Sequence, residues 1–492
     1  MKYILAIDQG TTGSRAVVYD KWGRERASHY NEFKQYFPQP GWVEHDVNEI
    51  WKSVNKSVQK VLSDVPAGKI EAIGITNQRE TVVLWDRNTG EPVTRAIVWQ
   101  CRRTAPRCRE INNDKKMAAD IFRRTGLPVD AYFSASKIEW LLKSSRTLYK
   151  KALKGDVVFG TMDSWLLWKL TGGKVHATDR TNASRTMLFD INAGRWDRRL
   201  MDIFGVPCNM APQVRPSSGI FGNTVRAGRL PAGIPVSGMA GDQQAALFGQ
   251  ACFKKGDIKN TYGTGCFILL NAGSERPRGK KGVITTLGCG EAGEDVYVLE
   301  GAIFVAGAAI QWMRDSLGIL PSAAVSQKMA RKVTDNGGVY FVPAFVGLGA
   351  PHWDSDARGL ITGITRCTKK EHIIRAAIEA MCYQTRDVLE LMKKTSGLRV
   401  KTLKIDGGAS KNDLLCEFQA DILGLEVIRP KVVETTSLGA AYLAGLGVGY
   451  WKNRQEIKKC WVRDKTFRPS MPPKKRKQLI AGWESAVERT LS

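Results

Sequence analysis

The chain has few histidines, and its cysteines never fall into a metal-binding spacing. Only five histidines occur in 492 residues, His29, His45, His176, His352 and His372, too dispersed to make a ligand pair. The ten cysteines, Cys101, Cys108, Cys208, Cys252, Cys266, Cys289, Cys367, Cys382, Cys416 and Cys460, contain no CxxC. That argues against a zinc site and fits thiols in a reducing compartment better than a disulfide framework. Long apolar runs are missing too. The run Tyr3–Ile7 is broken by Asp8, so there is no signal-peptide core, and no later stretch is long enough to span a bilayer. A cytoplasmic protein without a membrane partner is expected. Neither GxxxxGK[ST] nor a GxGxxG following a strand occurs. A nucleotide enzyme built on this chain must hold phosphate by other means.

What is present is a globular composition, 43% apolar and 25% charged, long enough for two or three domains. The formal net charge of +26 is unusual. Much of it falls in helical-looking stretches, Lys143–Lys154 and Ile457–Lys477, with no aromatic-interleaved groove. Pro472–Lys477 (PPKKRK) looks like an import signal, but such runs arise by chance. Charge without a reading motif does not make nucleic acid the expected partner. A positive field that attracts anionic nucleotides is the milder consequence.

The chain opens as a hairpin, strand Tyr3–Asp8, turn Gln9–Gly13 and strand Ser14–Asp20. Strands are expected at Ala72–Thr76, Val82–Asp86 and Pro235–Ala240, and helices at Val47–Ser63 and Ala135–Leu153. Gly256–Ala272 repeats the strand–turn–strand shape, and its turn Tyr262–Gly265 has the chemistry of the first. This suggests two halves of related architecture dividing near Gln250, residues 1–250 and 251–492. Farther on, Thr368 and Glu371 form a capping box for a helix ended by Gly397. Strand Leu403–Asp406 and helix Asn412–Leu423 follow. Strands alternating with helices indicate an α/β protein.

Three segments suit phosphate. Asp8-Gln9-Gly10-Thr11-Thr12-Gly13-Ser14-Arg15 offers an acid at a strand end, then glycines, hydroxyls and a cation. Thr261-Tyr262-Gly263-Thr264-Gly265 offers a second anion nest, and Asp406-Gly407-Gly408-Ala409-Ser410-Lys411-Asn412 places two glycines between a strand and a helix. Taken singly, each is an ordinary turn.

Together they resemble the phosphate and adenosine motifs of the actin, Hsp70 and sugar-kinase superfamily. Tyr132–Lys143 (YFSASKIEWLLK) and Gly359–Ile364, continued through His372-Ile373 to Ala376–Glu379, are similar to the two signatures of the FGGY carbohydrate kinases. Ser144 departs from the acidic or amide residue usual there. Asn77-Gln78-Arg79-Glu80-Thr81, Trp99–Thr104 (WQCRRT) and Gly241–Gly249 (GDQQAALFG) resemble the branch of that family that acts on glycerol. The likeness runs from Ile4 to about Gly449. It implies two ribonuclease H-like (actin-like ATPase) domains around a ligand cleft, and an alcohol phosphotransferase using ATP and Mg²⁺.

The same resemblance assigns residues. Arg79, Glu80, Tyr132 and Asp242 would bind the polyol hydroxyls, with Gln243 and Thr11 close by and Trp99 and Phe267 facing the carbon chain. Asp242 would be the general base, and Asp8 and Asp242 would hold Mg²⁺ through water. Thr11, Thr12, Gly13, Arg15 and Thr264 would face the transferring phosphoryl group; Gly307, Gln311, Gly408 and Asn412 would hold the nucleotide. A dimer or tetramer is implied. Asp242 is also expected to cap the segment after it. Gly13 stands where the family often has serine. Ala227–Gly233 ends in Gly233 where some members carry an arginine that binds fructose bisphosphate, so that feedback is not expected. Alternatives are a pentulose or longer-polyol kinase, an ATP-driven protein switch, and a nucleic-acid binder.

Overall fold

The structure, a computed structural model, describes residues 1–277, 282–290, 294–354 and 356–491. Two large sheets organise it. The six-stranded one runs Ser218–Asn223, Pro235–Gly241, Ile70–Asn77, Tyr3–Gln9, Gly13–Tyr19, Glu25–Glu32. Its central three strands are parallel and its first three in sequence form an antiparallel meander. Ile4, Leu5, Ala6 and Ile7 are all buried, as a strand covered on both faces requires. Glu25–Glu32 alternates in exposure, as an edge strand should.

The seven-stranded sheet repeats the plan. Ile258–Tyr262, Cys266–Gly273 and Tyr297–Ile303 form its meander, and Thr402–Asp406 and Glu426–Pro430 continue it in parallel beside Ile258–Tyr262. Each sheet ends beyond its parallel strands in an antiparallel edge, Ser218–Asn223 in one and Arg463–Phe467 in the other. The duplicated architecture suggested by the two hairpin turns is therefore present.

Helix Val47–Asp64 covers one face of the first sheet through Val47, Ile50, Val54, Val58 and Val61, at helical spacing. Asp46 caps it by accepting from Asn48 N at 2.8 Å. The other face takes helix Thr435–Gly447 from late in the chain, whose Leu438, Ala440, Ala441 and Leu443 cluster with Ile4, Ala6, Ala72 and Ala240. The approach is backbone to backbone. A Cβ at Gly74 would strike Ala440 O, and one at Gly439 would strike Ala245 O in helix Asp242–Gly249. Gly439→Ala is therefore expected to cost about 1–3 kcal/mol or more. Urea unfolding checks it, and an unchanged midpoint would contradict the close crossing.

Four local expectations need correction. Ala135–Leu153 is two helices, Ser134–Ser144 and Arg146–Lys154, because Ser145 is extended and caps the second by accepting from Leu148 N at 3.2 Å. The box at Thr368 and Glu371 does not form; His372 Nδ1 accepts from Lys369 N at 3.0 Å, and the helix is Lys370–Ser396. Ile457–Lys477 is not one helical stretch, since strand Arg463–Phe467 interrupts it and PPKKRK opens helix Pro473–Glu488. Asp242 is the first helical residue, with Gly241 at the cap.

Candidate active site

Both glycine hairpins close in the same way. Gly10 N donates to Gly13 O at 2.9 Å, and Gly263 N donates to Gly265 O at 2.9 Å. Asp8 lies half-buried at the end of its strand, facing Arg15 across the hairpin register. Thr11 Oγ1 accepts from Trp99 Nε1 at 3.0 Å, and Thr12 Oγ1 lies 3.1 Å from the Tyr30 hydroxyl. Arg15 pairs with Glu434 at 2.6 Å, at the start of the helix that crosses the first sheet. In the second hairpin Gly263 and Thr264 are exposed. Their carbonyls accept from Gly307 N at 3.1 Å, and from Ala306 N and Ala308 N at 2.9 and 3.0 Å. A Cβ at Gly307 would come within 2.6 Å of Gly263 O, so glycine permits this seam. Gln311 is exposed one turn farther along the same helix. Gly408 has nothing within 4 Å of where a Cβ would stand. Asn412 caps helix Asp413–Leu423, its Oδ1 accepting from Leu415 N at 3.2 Å.

Burial pushes the Asp8 carboxyl up to about 7; Arg15 opposes the rise, and Glu434 and Asp242 add to it. The acid binds its proton more tightly folded than unfolded, so its contribution to stability is lost as pH rises from about 4 through about 7. Asp8→Asn removes that loss and is expected to raise the urea midpoint at pH 8 but not at pH 4. In the wild type, the urea midpoint should fall through about pH 7 as Asp8 ionises, and Asp8→Asn should abolish that limb. A limb that survives the substitution would assign it to another group.

The polyol candidates surround a buried ion cluster. Arg79 donates from Nη1 and Nη2 to Glu300 at 2.5 and 2.9 Å, and its Nε lies 3.0 Å from Asp242 Oδ1. Glu80, at φ 61°, accepts from Arg185 Nε at 2.5 Å. Arg185 Nη2 also lies 3.1 Å from Glu300. Burial alone would raise the Glu300 carboxyl, but Arg185 and Arg79 overcome it and hold it at about 2. Asp242 differs from its neighbours, for its side chain is 31% exposed. Tyr132 meets Trp99 edge-on at 5.6 Å, and the Phe267 ring lies 5.9 Å from the Arg79 guanidinium. Gln243 Oε1 accepts from Lys259 Nζ at 2.6 Å. Burial lowers that lysine to about 8.

The structure thus gathers Arg79, Glu80, Asp242, Trp99, Tyr132 and Phe267 in one linked network beside the first hairpin, reached through Thr11. Thr264 and Gly307 form the second hairpin's seam; Gln311 lies farther along its helix, while Gly408 and Asn412 sit on another turn. Sequence reasoning missed Arg185, Glu300 and Lys259. Each left a signal. Glu300 is the one charge in the strand Tyr297–Ile303 (YVLEGAI), and Lys259 interrupts Ile258–Tyr262. Buried charges in apolar strands need partners. Among the described residues no group of three or more His, Cys, Asp or Glu could hold a metal. Asp8, half-buried at its strand end, and Asp242, 31% exposed, offer carboxylate oxygens of the kind that would hold Mg²⁺.

Known proteins resemble this chain in sequence and fold. The FGGY family of carbohydrate kinases matches through its N-terminal domain at residues 3–249 and its C-terminal domain at 258–448. The chain is 55% identical to glycerol kinase 2 of Thermotoga maritima, covering 100% of this chain and 99% of that one. The crystal structure of Plasmodium falciparum glycerol kinase with ADP superposes with a TM-score of 0.93 at 37% identity, over 100% and 99% of the two chains. A xylulose kinase from Lactobacillus acidophilus, 22% identical, shares the fold with a TM-score of 0.88 over 99% and 98%.

Proposed function

This chain belongs to the FGGY family of carbohydrate kinases, and we propose that it is a glycerol kinase, transferring the γ-phosphoryl group of ATP to a terminal hydroxyl of glycerol to give sn-glycerol 3-phosphate and ADP. The observation that carries the reading is Asp242, a partly exposed carboxylate set against the buried Arg79–Glu80–Arg185–Glu300 cluster. Glycerol has little apolar area, so its recognition needs charged hydrogen-bonding groups, each contributing about 1.5–3 kcal/mol. Arg79 donates to a hydroxyl from a guanidinium fixed by Glu300, and Glu80 accepts from one while Arg185 holds it in place. Trp99, Tyr132 and Phe267 limit the acceptor's length.

In the transfer, the terminal hydroxyl oxygen bonds to the γ-phosphorus as the bond to the departing ADP breaks, and Asp242 takes the hydroxyl proton. The transition state is largely dissociative, so a carboxylate that positions the hydroxyl and accepts its proton late is sufficient. Amides and hydroxyls of Thr11, Thr12, Gly13 and Thr264, with Arg15, stabilise charge on the phosphoryl oxygens. Asp8 and Asp242 would hold Mg²⁺ through water, and the ion would supply further charge neutralisation at the same oxygens. Gly307, Gln311, Gly408 and Asn412 form the nucleotide's binding surface. Groups from the halves 1–250 and 251–492 meet at the cleft, and closure over both substrates excludes water as the competing acceptor.

The ten cysteines are free thiols, which supports a cytoplasmic setting. No described helix is long and apolar enough to cross a membrane. A homodimer or homotetramer is the proposed assembly, which sedimentation reads directly. The activity is tested by ADP release with and without glycerol, and by identifying the product. Glycerol-dependent release with sn-glycerol 3-phosphate formed is expected. Turnover indifferent to glycerol, or faster with a pentulose across a panel of acceptors, would overturn the reading.

A further inference from the structure

The first phosphate hairpin contains a space that its own sequence does not fill. Gly13 is buried, and a Cβ there would lie 2.6 Å from Tyr30 Cε2 and closer still to Cζ and the phenol oxygen. Tyr30 comes from the edge strand Glu25–Glu32, where it pairs in register with Arg15. Its ring is 41% exposed, so it joins no core. Instead its hydroxyl lies 3.1 Å from Thr12 Oγ1, and the Arg15 guanidinium stands 5.7 Å from the ring centroid. One exposed aromatic therefore touches three functional positions of the hairpin, 12, 13 and 15. Surface burial gives no reason for it, whereas anion chemistry does. A phenol presents a donor hydroxyl on a rigid ring, and the ring face attracts the cation that must stay over the hairpin.

We infer that Tyr30 is a working part of the phosphate hairpin: it occupies the volume of a side chain at position 13, donates its hydroxyl beside Thr12 to a phosphate oxygen of the nucleotide, and holds Arg15 in place. This rests on the kinase reading above. It also accounts for Gly13. With the ring seated there, any larger residue at 13 must displace it.

The test is a set of four variants, followed by direct titration with ATP and by steady-state kinetics. Tyr30→Phe keeps the ring and the fold and removes only the hydroxyl. It is expected to weaken ATP binding roughly tenfold, the loss of one hydrogen bond to a charged group, with KM for glycerol within about twofold of wild type. Gly13→Ser alone should weaken ATP binding, because its side chain lands on the ring. Gly13→Ser combined with Tyr30→Ala should bind ATP better than Tyr30→Ala alone, since a serine hydroxyl then has the vacated space. Unchanged ATP affinity in Tyr30→Phe would overturn the inference, as would a double variant no better than Tyr30→Ala. Wild type assayed alongside separates the two claims. A wild type that binds ATP but ignores glycerol defeats the acceptor reading, whereas an active wild type with an indifferent Tyr30→Phe defeats this inference alone.

Discussion

Asp242→Asn is expected to lower kcat by about 10²–10⁴-fold, the range for losing a positioned proton acceptor. The substitution preserves shape and the helix start, and Asp242 is partly exposed, so the fold should survive with little change in stability. KM for ATP should move little, since the proposed nucleotide surface lies mainly on the second hairpin and its neighbours. Binding of glycerol should weaken modestly, because Arg79 Nε loses its charged partner at 3.0 Å. Single-turnover measurements separate these effects, and a kcat within about tenfold of wild type would remove Asp242 from the role of base. A large loss confined to kcat would place its interaction in the transition state.

Glu300→Ala should produce the largest loss of stability, about 3–5 kcal/mol. It leaves Arg79 and Arg185 buried with one fewer carboxylate between them, and a buried charge without its partner costs more than the pair contributes when intact. Glu300→Gln keeps the shape and loses the charge, so an intermediate loss is expected. The pH dependence provides a second check. Burial raises the Glu300 carboxyl, but Arg185 and Arg79 hold it at about 2, below its ordinary value of 4.5. Its contribution is therefore present above about pH 4.5 and lost as pH falls through about 2. The gap between wild type and Glu300→Gln should be full at neutral pH and shrink below about pH 4. A gap constant from pH 7 to pH 3, or a loss under about 1 kcal/mol, would show that Glu300 is not the charge that balances the cluster. Glycerol affinity should fall in the same variants, because Glu300 sets the direction of the Arg79 fork.

The two substitutions probe different halves of the chain. Asp242 begins a helix at the end of a first-sheet strand, whereas Glu300 reaches across from the meander of the second sheet. The Arg79–Glu300 pair therefore ties the two sheets together at the floor of the proposed acceptor site. Such a tie fixes the guanidinium before substrate arrives, the preorganisation that makes a charged hydrogen bond effective in recognition.

By itself the sequence determined the local pieces: the hairpin turns at Gln9–Gly13 and Tyr262–Gly265, the strands and helices around them, and the residues that match family motifs. Turn chemistry, strand pleat and helix periodicity depend on backbone preferences within a few neighbours, so they are written contiguously. Only the tertiary structure decided which charges meet. Arg79 and Glu300 are 221 positions apart, Glu80 and Arg185 are 105 apart, and Tyr30 reaches Thr12 across a strand pair. It also decided that helix Thr435–Gly447 crosses back onto the first sheet, with Gly74 and Gly439 at the contact. Burial and ion pairing between distant segments depend on how whole sheets and helices pack, and no local spacing records that.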